Sequence, residues 1–274
     1  MKYGLKEILD IAEEEKFAIP AFNVYNIEML MGIMRAAKET KAPIIIQMYS
    51  RLFDTETGKR LAPAIREAME ETETPIAFHL DHGACEKEVL NAFRLGATGV
   101  MIDASSKPIE ENISITKTVV GLARHIGVGV EGELGHIGSV NDEKWDAYTE
   151  VGDAVRFVDE TGVDALAIMV GTAHGKYKKA PVLQIDRIAE IHKAVKAHLV
   201  LHGGSGVPDD QIRSAIKAGV RKINIATDLC YAFVNGLVDP LSKPLDISLS
   251  AAADCVKEVA IDRIKVFGAD KYNG

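Results

Sequence analysis

The sequence predicts an α/β protein of the (β/α)8, or TIM, barrel class with an extra C-terminal helical segment. Three observations carry this. Eight short apolar, β-branched runs alternate with segments of helical periodicity. A helix–glycine–strand step recurs at three junctions. The length, 274 residues, suits one barrel of about 250 residues, and no Ser/Pro/Gly-rich linker divides the chain. Residues 1–274 are therefore read as a single domain.

The eight runs, in order, are 17–24, 43–49, 75–80, 99–102, 128–133, 164–170, 198–202 and 222–225. Near-continuous apolar character suits parallel strands buried on both faces. Between them, Ile27, Leu30, Met31 and Met34 repeat at helical spacing, as do Ile109, Ile113, Thr116 and Val120, and Ile185, Ile188, Ile191 and Val195. The Met-rich stretch 29–34 reads as core packing. Gly96, Gly162 and Gly219 each end a helix and lead into a strand, supplying the left-handed cap. A doubly wound open sheet is disfavoured, because no GxGxxG follows an early strand. Residues 1–17 are charged and helical in pattern, without a signal-peptide apolar stretch. After Pro240 and Pro244 the chain returns to a helical pattern through Phe267, read as a terminal helix over the barrel.

Composition excludes several function classes. Apolar residues make up 47% and charged residues 26%, which fits a large core and not disorder. A net charge of -8 with no Lys/Arg block argues against nucleic acid and anionic membranes as partners. No apolar run approaches the roughly 20 residues of a membrane span. Cys85, Cys230 and Cys255 are far apart and form no CxxC pair, so they read as free thiols in a reducing cytoplasm.

Barrel enzymes place their chemistry at the C-terminal strand ends. Every predicted strand delivers a polar group there. These are Asn23, then Ser50 and Arg51, Asp81-His82, Asp103, Glu131 and Glu133, His174, His202, and finally Asn224, Thr227 and Asp228. His82, His174 and His202 end three strands, each close to glycine. Three imidazoles with an open position suit catalytic zinc. The other five histidines, at 79, 125, 136, 192 and 198, are read as structural. Strand alternation predicts that Asp81 points away from the face of His82. It is then a general acid/base, or else an orienter of a ligand imidazole. The Gly203-Gly204-Ser205-Gly206 loop precedes a helix start and offers N–H groups to an anion, with Asn224 and Thr227 completing the pocket. A Schiff-base mechanism needs an inward lysine. Lys222, at the start of the last strand, reads as lying on the stability side, so metal chemistry is preferred.

Six motifs then fall in order: Phe78-His79-Leu80-Asp81-His82-Gly83, Val100-Met101-Ile102-Asp103-Ala104-Ser105, Glu131-Gly132-Glu133-Leu134-Gly135, Gly171-Thr172-Ala173-His174-Gly175, Leu201-His202-Gly203-Gly204-Ser205-Gly206 and Lys222-Ile223-Asn224-Ile225-Ala226-Thr227. Together, over about 5–229, they resemble class II, zinc-dependent ketose-bisphosphate aldolases of the fructose-bisphosphate and tagatose-bisphosphate type. The resemblance implies a cytoplasmic lyase of carbohydrate metabolism, such as glycolysis. It implies zinc on His82, His174 and His202, acting as a Lewis acid on the ketose. Asp81 is then the residue that moves the C4 hydroxyl proton.

The same resemblance assigns the phosphate and carbonyl end to Gly175, Gly203, Gly204, Ser205, Asn224, Ile225, Ala226 and Thr227, with a monovalent cation (Na+ or K+) nearby. It assigns a second or displaced metal position to Asp103 and Glu133, and the aldehyde half to Asn23 and Ser50. Arg51 resembles the branch acting on 6-phospho-5-dehydro-2-deoxygluconate. It either grips a distal phosphate or carboxylate or forms a surface salt bridge. The stretch after Glu133 is shorter than the family's mobile loop, and Asp142 or Glu143 is expected to replace its acid.

The expected function is cleavage of a phosphorylated ketose to dihydroxyacetone phosphate and an aldehyde. Fructose 1,6-bisphosphate, giving glyceraldehyde 3-phosphate, is the default. Tagatose 1,6-bisphosphate and the deoxygluconate phosphate are alternatives. A non-catalytic phospho-sugar-binding barrel is the reading from another class, and a hydrolytic zinc barrel is a third. Relatives form dimers or tetramers, so a homodimer or homotetramer is expected.

Overall fold

A computed structural model describes residues 2–140, 148–237 and 243–274. Eight parallel strands close into one barrel in sequence order. They are β1 (Ile19–Asn23), β2 (Ile44–Tyr49), β3 (Ile76–Gly83), β4 (Gly99–Ile102), β5 (Gly129–Leu134), β6 (Ala165–Ile168), β7 (His198–Leu201) and β8 (Val220–Ile225). All eight predicted runs are strands. The ends shift by a few residues. The sixth stops at Ile168 because Met169 and Val170 turn to bond the Thr149 and Gln184 regions instead of the sheet.

The first helix, α1 (Leu5–Glu15), lies across the bottom of the barrel. Its Leu5, Ile8, Leu9 and Ala12 are buried at i, i+3, i+4, i+7 spacing. A Cβ on Gly99 would stand 2.7 Å from that of Leu5. The helix therefore plugs the N-terminal mouth, leaving the opposite mouth for ligands.

The ring of helices comprises α2 (Ile27–Thr40), α3 (Ser50–Phe53), α4 (Glu56–Glu70), α5 (Glu86–Leu95), α6 (Ile109–Arg124), α7 (Val151–Thr161), α8 (Ile185–Ala194), α9 (Asp209–Ala218) and α10 (Thr227–Gly236). Gly96, Gly162 and Gly219 all have φ above +60° at the junctions where the sequence places them. The long α11 (Leu245–Phe267) packs on α2 and α10. Gly32 makes this possible, since a Cβ there would meet the Ala253 carbonyl oxygen at 2.4 Å. Met29, Leu30 and Ile33 of α2 are buried, as core packing requires, while Met31 is exposed. Among the described residues, no helix is long and apolar enough to cross a membrane.

Candidate active site

The upper half of the barrel interior is polar. Residues two apart on one strand share a face, and the inward positions of four strands carry Gln47 and Tyr49, His79 and Asp81, Glu131 and Glu133, and Lys222 and Asn224. Gln47, His79, Glu131, Glu133 and Lys222 are fully buried, and Asp81 and Asn224 nearly so. Hydrogen bonds and ion pairs join Gln47 (through Asn23), Asp81, Asn224, Lys222, Glu131 and His79 into one network under the C-terminal mouth.

His82, His174 and His202 converge at the top of this network. Their ring centroids lie 4.7 to 5.7 Å apart. One ring nitrogen from each falls within 4.8 Å of the others. Nε2 of His82 and Nδ1 of His202 face each other at 3.0 Å. The far nitrogens are bound to carboxylates: Nδ1 of His82 lies 2.8 Å from Asp103, and Nε2 of His202 lies 2.8 Å from Glu131. Both carboxyl groups are held well below the usual range. Burial opposes their ionisation, but His82 and Ser105 overcome it at Asp103, and Lys222, His202 and His79 do so at Glu131. An ionised carboxylate only accepts, so each imidazole spends one N–H there, and in its neutral form the ring has its lone pair on the inward nitrogen.

His174 is held by its own backbone, whose N–H donates to Gly138 O and whose C=O accepts from Val140 N, both at 2.9 Å.

The donor set fits a cation. The buried Glu133 Oε2 has no hydrogen-bond partner among the described residues. It stands 4.0 Å from Nδ1 of His82 and 3.9 Å from Nδ1 of His202. Burial would discharge His82, yet Asp81, Asp103 and Glu133 push it up to about 9, so the field here favours positive charge. His174 goes the other way, to about 3, through burial and the neighbouring imidazoles, and keeps its lone pair. His82, Asp103 and Glu133 form a second metal-capable group beside the first. Asp103 bonds the outward nitrogen of His82, so it sets the orientation of one ring of the three-histidine cluster.

Asp81 departs from the expectation of strand alternation. Its Oδ1 lies 3.8 Å from Nε2 of His82, on the same side of the barrel wall. The reason is local. His82 has φ +53°, a left-handed conformation uncommon for a side-chain-bearing residue. The β3–β4 register shifts between Leu80 and Gly83. This irregularity breaks the pleat, and two neighbouring side chains enter one site. Asp81 is gripped at both oxygens, by Asn23 Nδ2 at 2.8 Å and Asn224 Nδ2 at 3.1 Å. Burial opposes its charge, but His82, His202, Lys222 and Asn23 keep it ionised below the usual range.

A cavity of about 400 Å³ opens over the cluster. Asn23, Arg51, Gly175, Gly203, Ser205, Asn224, Ala226 and Thr227 stand on its wall with Asp81, His82 and His174. Ser50, Gly204 and Ile225 do not. Ser50 starts α3, Ile225 is fully buried, and the Gly204 N–H donates to Asn224 O at 3.1 Å. Gly203 has φ +62°, and a Cβ on it would strike Ala173 O at 2.3 Å, so this loop packs directly on the one carrying His174. Asp142 and Glu143 lie outside the described residues.

Sequence reasoning missed other wall residues: Tyr25, Tyr49, His136, Ile137, Gly138 and Ser139. Tyr49 ends β2, a position whose meaning was already legible. His136, read as structural, lies on the wall with Nδ1 3.0 Å from Ser105 Oγ. Lys222 is the larger correction. It does not lie on the stability side, because its side chain is fully buried with Nζ 2.8 Å from Glu131 and 2.7 Å from Asn224. Its four-carbon stem carries the ammonium into the network.

The family model for "Fructose-bisphosphate aldolase class-II" matches residues 3–271. The chain belongs to the class II aldolase family. The aldolase is 38% identical to the sulfofructosephosphate aldolase of Alkalicoccus urumqiensis, over 97% of this chain and 96% of that protein. It is 36% identical to YdjI of Escherichia coli strain K12, over 94% and 95%. The crystal structure of the E. coli YdjI aldolase matches all of both chains with a TM-score of 0.92 and 34% identity. A putative fructose-1,6-bisphosphate aldolase from Coccidioides immitis matches with a TM-score of 0.91 and 25% identity, covering 97% of this aldolase and 96% of that chain.

Proposed function

We propose that this aldolase is a zinc enzyme that cleaves a ketose 1-phosphate with an anionic far end into dihydroxyacetone phosphate and an aldehyde. The observation that carries the reading is the ionised Asp81 carboxylate 3.8 Å from Nε2 of His82, at the edge of a three-histidine cluster.

His82, His174 and His202 would hold zinc, which as a Lewis acid draws electron density toward the C2 carbonyl. Asp81 accepts the proton of the C4 hydroxyl. The C3–C4 bond then breaks, its electron pair moves toward the carbonyl, C4 leaves as the aldehyde, and C3 takes up a proton from water, balancing the one lost from the C4 hydroxyl, to give dihydroxyacetone phosphate. Asn23 and Asn224 hold the carboxylate in place for this transfer. The 1-phosphate is assigned to the lip formed by Gly175, Gly203, Ser205, Ala226 and Thr227, where α10 begins and its N-terminal N–H groups favour an anion. On family resemblance alone, a monovalent cation, Na+ or K+, sits beside the phosphate, and the enzyme is a cytoplasmic homodimer or homotetramer.

The far end of the substrate is assigned to Arg51. Its guanidinium carbon lies 4.6 Å over the ring of Tyr49, and that ring lies 5.6 Å from the ring of His82. Among the described residues, Arg51 is the only arginine or lysine on the cavity wall. An arginine one ring away from the metal cluster suits a phosphate, carboxylate or sulfonate on the aldehyde half. Fructose 1,6-bisphosphate meets that requirement and is the default. Tagatose 1,6-bisphosphate and 6-phospho-5-dehydro-2-deoxygluconate meet it too. So does the sulfonated sugar phosphate named in the Alkalicoccus relative.

The test is a coupled assay for dihydroxyacetone phosphate across these four sugars, with zinc content measured alongside. Activity removed by chelation and restored by zinc is expected. Full activity after chelation, or no release from any of the four, overturns the reading. Arg51→Ala is expected to lower kcat/KM on the preferred substrate by roughly 10- to 100-fold. In the condensation direction, a neutral short aldehyde should be nearly unaffected.

A further inference from the structure

Lys222 is a fully buried lysine at the floor of the site. Two contacts of its ammonium group run toward different parts of the machinery. One is the ion pair with Glu131 Oε2 at 2.8 Å. The other oxygen of Glu131 receives the N–H of His202 at 2.8 Å. The second contact is a hydrogen bond donated to Asn224 Oδ1 at 2.7 Å. The amide nitrogen of Asn224 then donates to Asp81 Oδ1 at 3.1 Å; its 3.2 Å approach to Nε2 of His202, whose N–H goes to Glu131, is donor against donor and makes no hydrogen bond.

An ammonium group has donors and no acceptor. It therefore fixes which way the Asn224 amide points: oxygen toward the lysine, NH2 toward Asp81. With the amide reversed, two donors would meet at Lys222 and two acceptors at Asp81. The same positive charge keeps Glu131 an acceptor toward His202. Nε2 of His202 is thereby the protonated nitrogen, and Nδ1 is the one turned to His82. A hydrocarbon residue at this position could set neither orientation. A buried ion pair is also a poor source of net stability, because desolvating both charges offsets their attraction. A lysine placed here for stability alone gains little over a nonpolar side chain.

We infer that Lys222 is a positioning residue for aldol cleavage, setting the orientation of Asn224 against Asp81 and, through Glu131, the ring nitrogen that His202 offers to the metal. This rests on the aldolase reading above, and it adds a residue that touches neither substrate nor metal.

The experiment uses Lys222→Met and the charge-balanced double variant Lys222→Met/Glu131→Gln. Zinc affinity is measured by chelator competition without sugar, and kcat and KM at saturating zinc. In Lys222→Met, zinc affinity is expected to fall about 10- to 100-fold, as when a partner of a ligand histidine is lost. Turnover at saturating zinc is expected to fall roughly 100-fold with KM little changed, because Asn224 no longer holds Asp81 in register. The double variant removes the unpaired buried carboxylate and should melt closer to wild type, yet kcat should stay low. Recovery of both zinc affinity and kcat to within about threefold of wild type, in either folded variant, overturns the inference. So does failure of both variants to fold, which would mark the pair as purely structural. Wild-type protein without turnover on any tested sugar would sink the aldolase reading instead, and the zinc measurement would still decide the role of Lys222 at His202.

Discussion

Nδ1 of His82 lies 2.8 Å from Asp103 Oδ2, while the opposite nitrogen of the same ring faces Nδ1 of His202 at 3.0 Å. One imidazole thus spans a carboxylate and the centre of the three-histidine cluster. The carboxylate fixes the ring's tautomer and angle and raises its basicity as a ligand. Asp103→Ala is expected to weaken zinc binding about 10- to 100-fold, with much of the turnover returning at high zinc. Competition titration against a chromogenic chelator checks this. Unchanged zinc affinity would remove Asp103 from the support of His82.

Asp81 has a different signature. Asp81→Ala leaves all three histidines in place, so zinc content should stay near one equivalent per site. Turnover should fall about 10²- to 10⁴-fold, the usual contribution of a positioned acid/base. A phospho-sugar-binding barrel without catalysis would show the same ligand binding in both proteins and no turnover in either.

Zinc affinity should depend steeply on pH. His82 is pushed up to about 9 by its carboxylate neighbours, so a proton competes with zinc at this ring below that pH. Glu133 is raised to about 8, first by burial and then by Asp103, and a nearby dication expels its proton too. His174 and His202 are both lowered, chiefly by burial, and compete little. The logarithm of the affinity should therefore climb by about two per pH unit near neutrality and flatten above about 9. A flat profile from pH 6.5 to 9, measured by chelator competition, would contradict this charge arrangement.

Gly203→Ala probes the loop to which the phosphate is assigned. Its φ of +62° strains any other residue, and the new methyl would meet Ala173 O at 2.3 Å. A loss of about 1–3 kcal/mol is expected, seen as a melting point several degrees lower. Because Ala173 precedes His174, zinc affinity should fall with it. Full stability and full zinc affinity together would show that the two loops are not coupled.

Much of this site was legible before any fold. Strands buried on both faces write themselves as apolar runs, and the polar residues at their ends and in the loops just beyond stand out against that background. Asn23, Asp81, His82, His174, His202 and Thr227 are visible in this way. Tyr49 could have been found by the same rule, as the last residue of β2. Glu131 and His79 were harder, because a buried polar residue within a run looks the same whether it serves a network or merely tolerates its place. Lys222 was misplaced because the position of a backbone says little about where a long side chain delivers its charge.

The sequence by itself determined the barrel, the order of its strands, and which rim carries the chemistry. These follow from strand periodicity, helix caps and chain connectivity, all of which act between near neighbours. Only the tertiary structure decided which side chains meet. Barrel closure brings His82 against His202, 120 residues apart, and Lys222 against Glu131. The left-handed turn at His82 brings Asp81 and its neighbour to one side of the wall. Such meetings depend on register across the sheet and on one irregular backbone torsion, neither of which local propensity records.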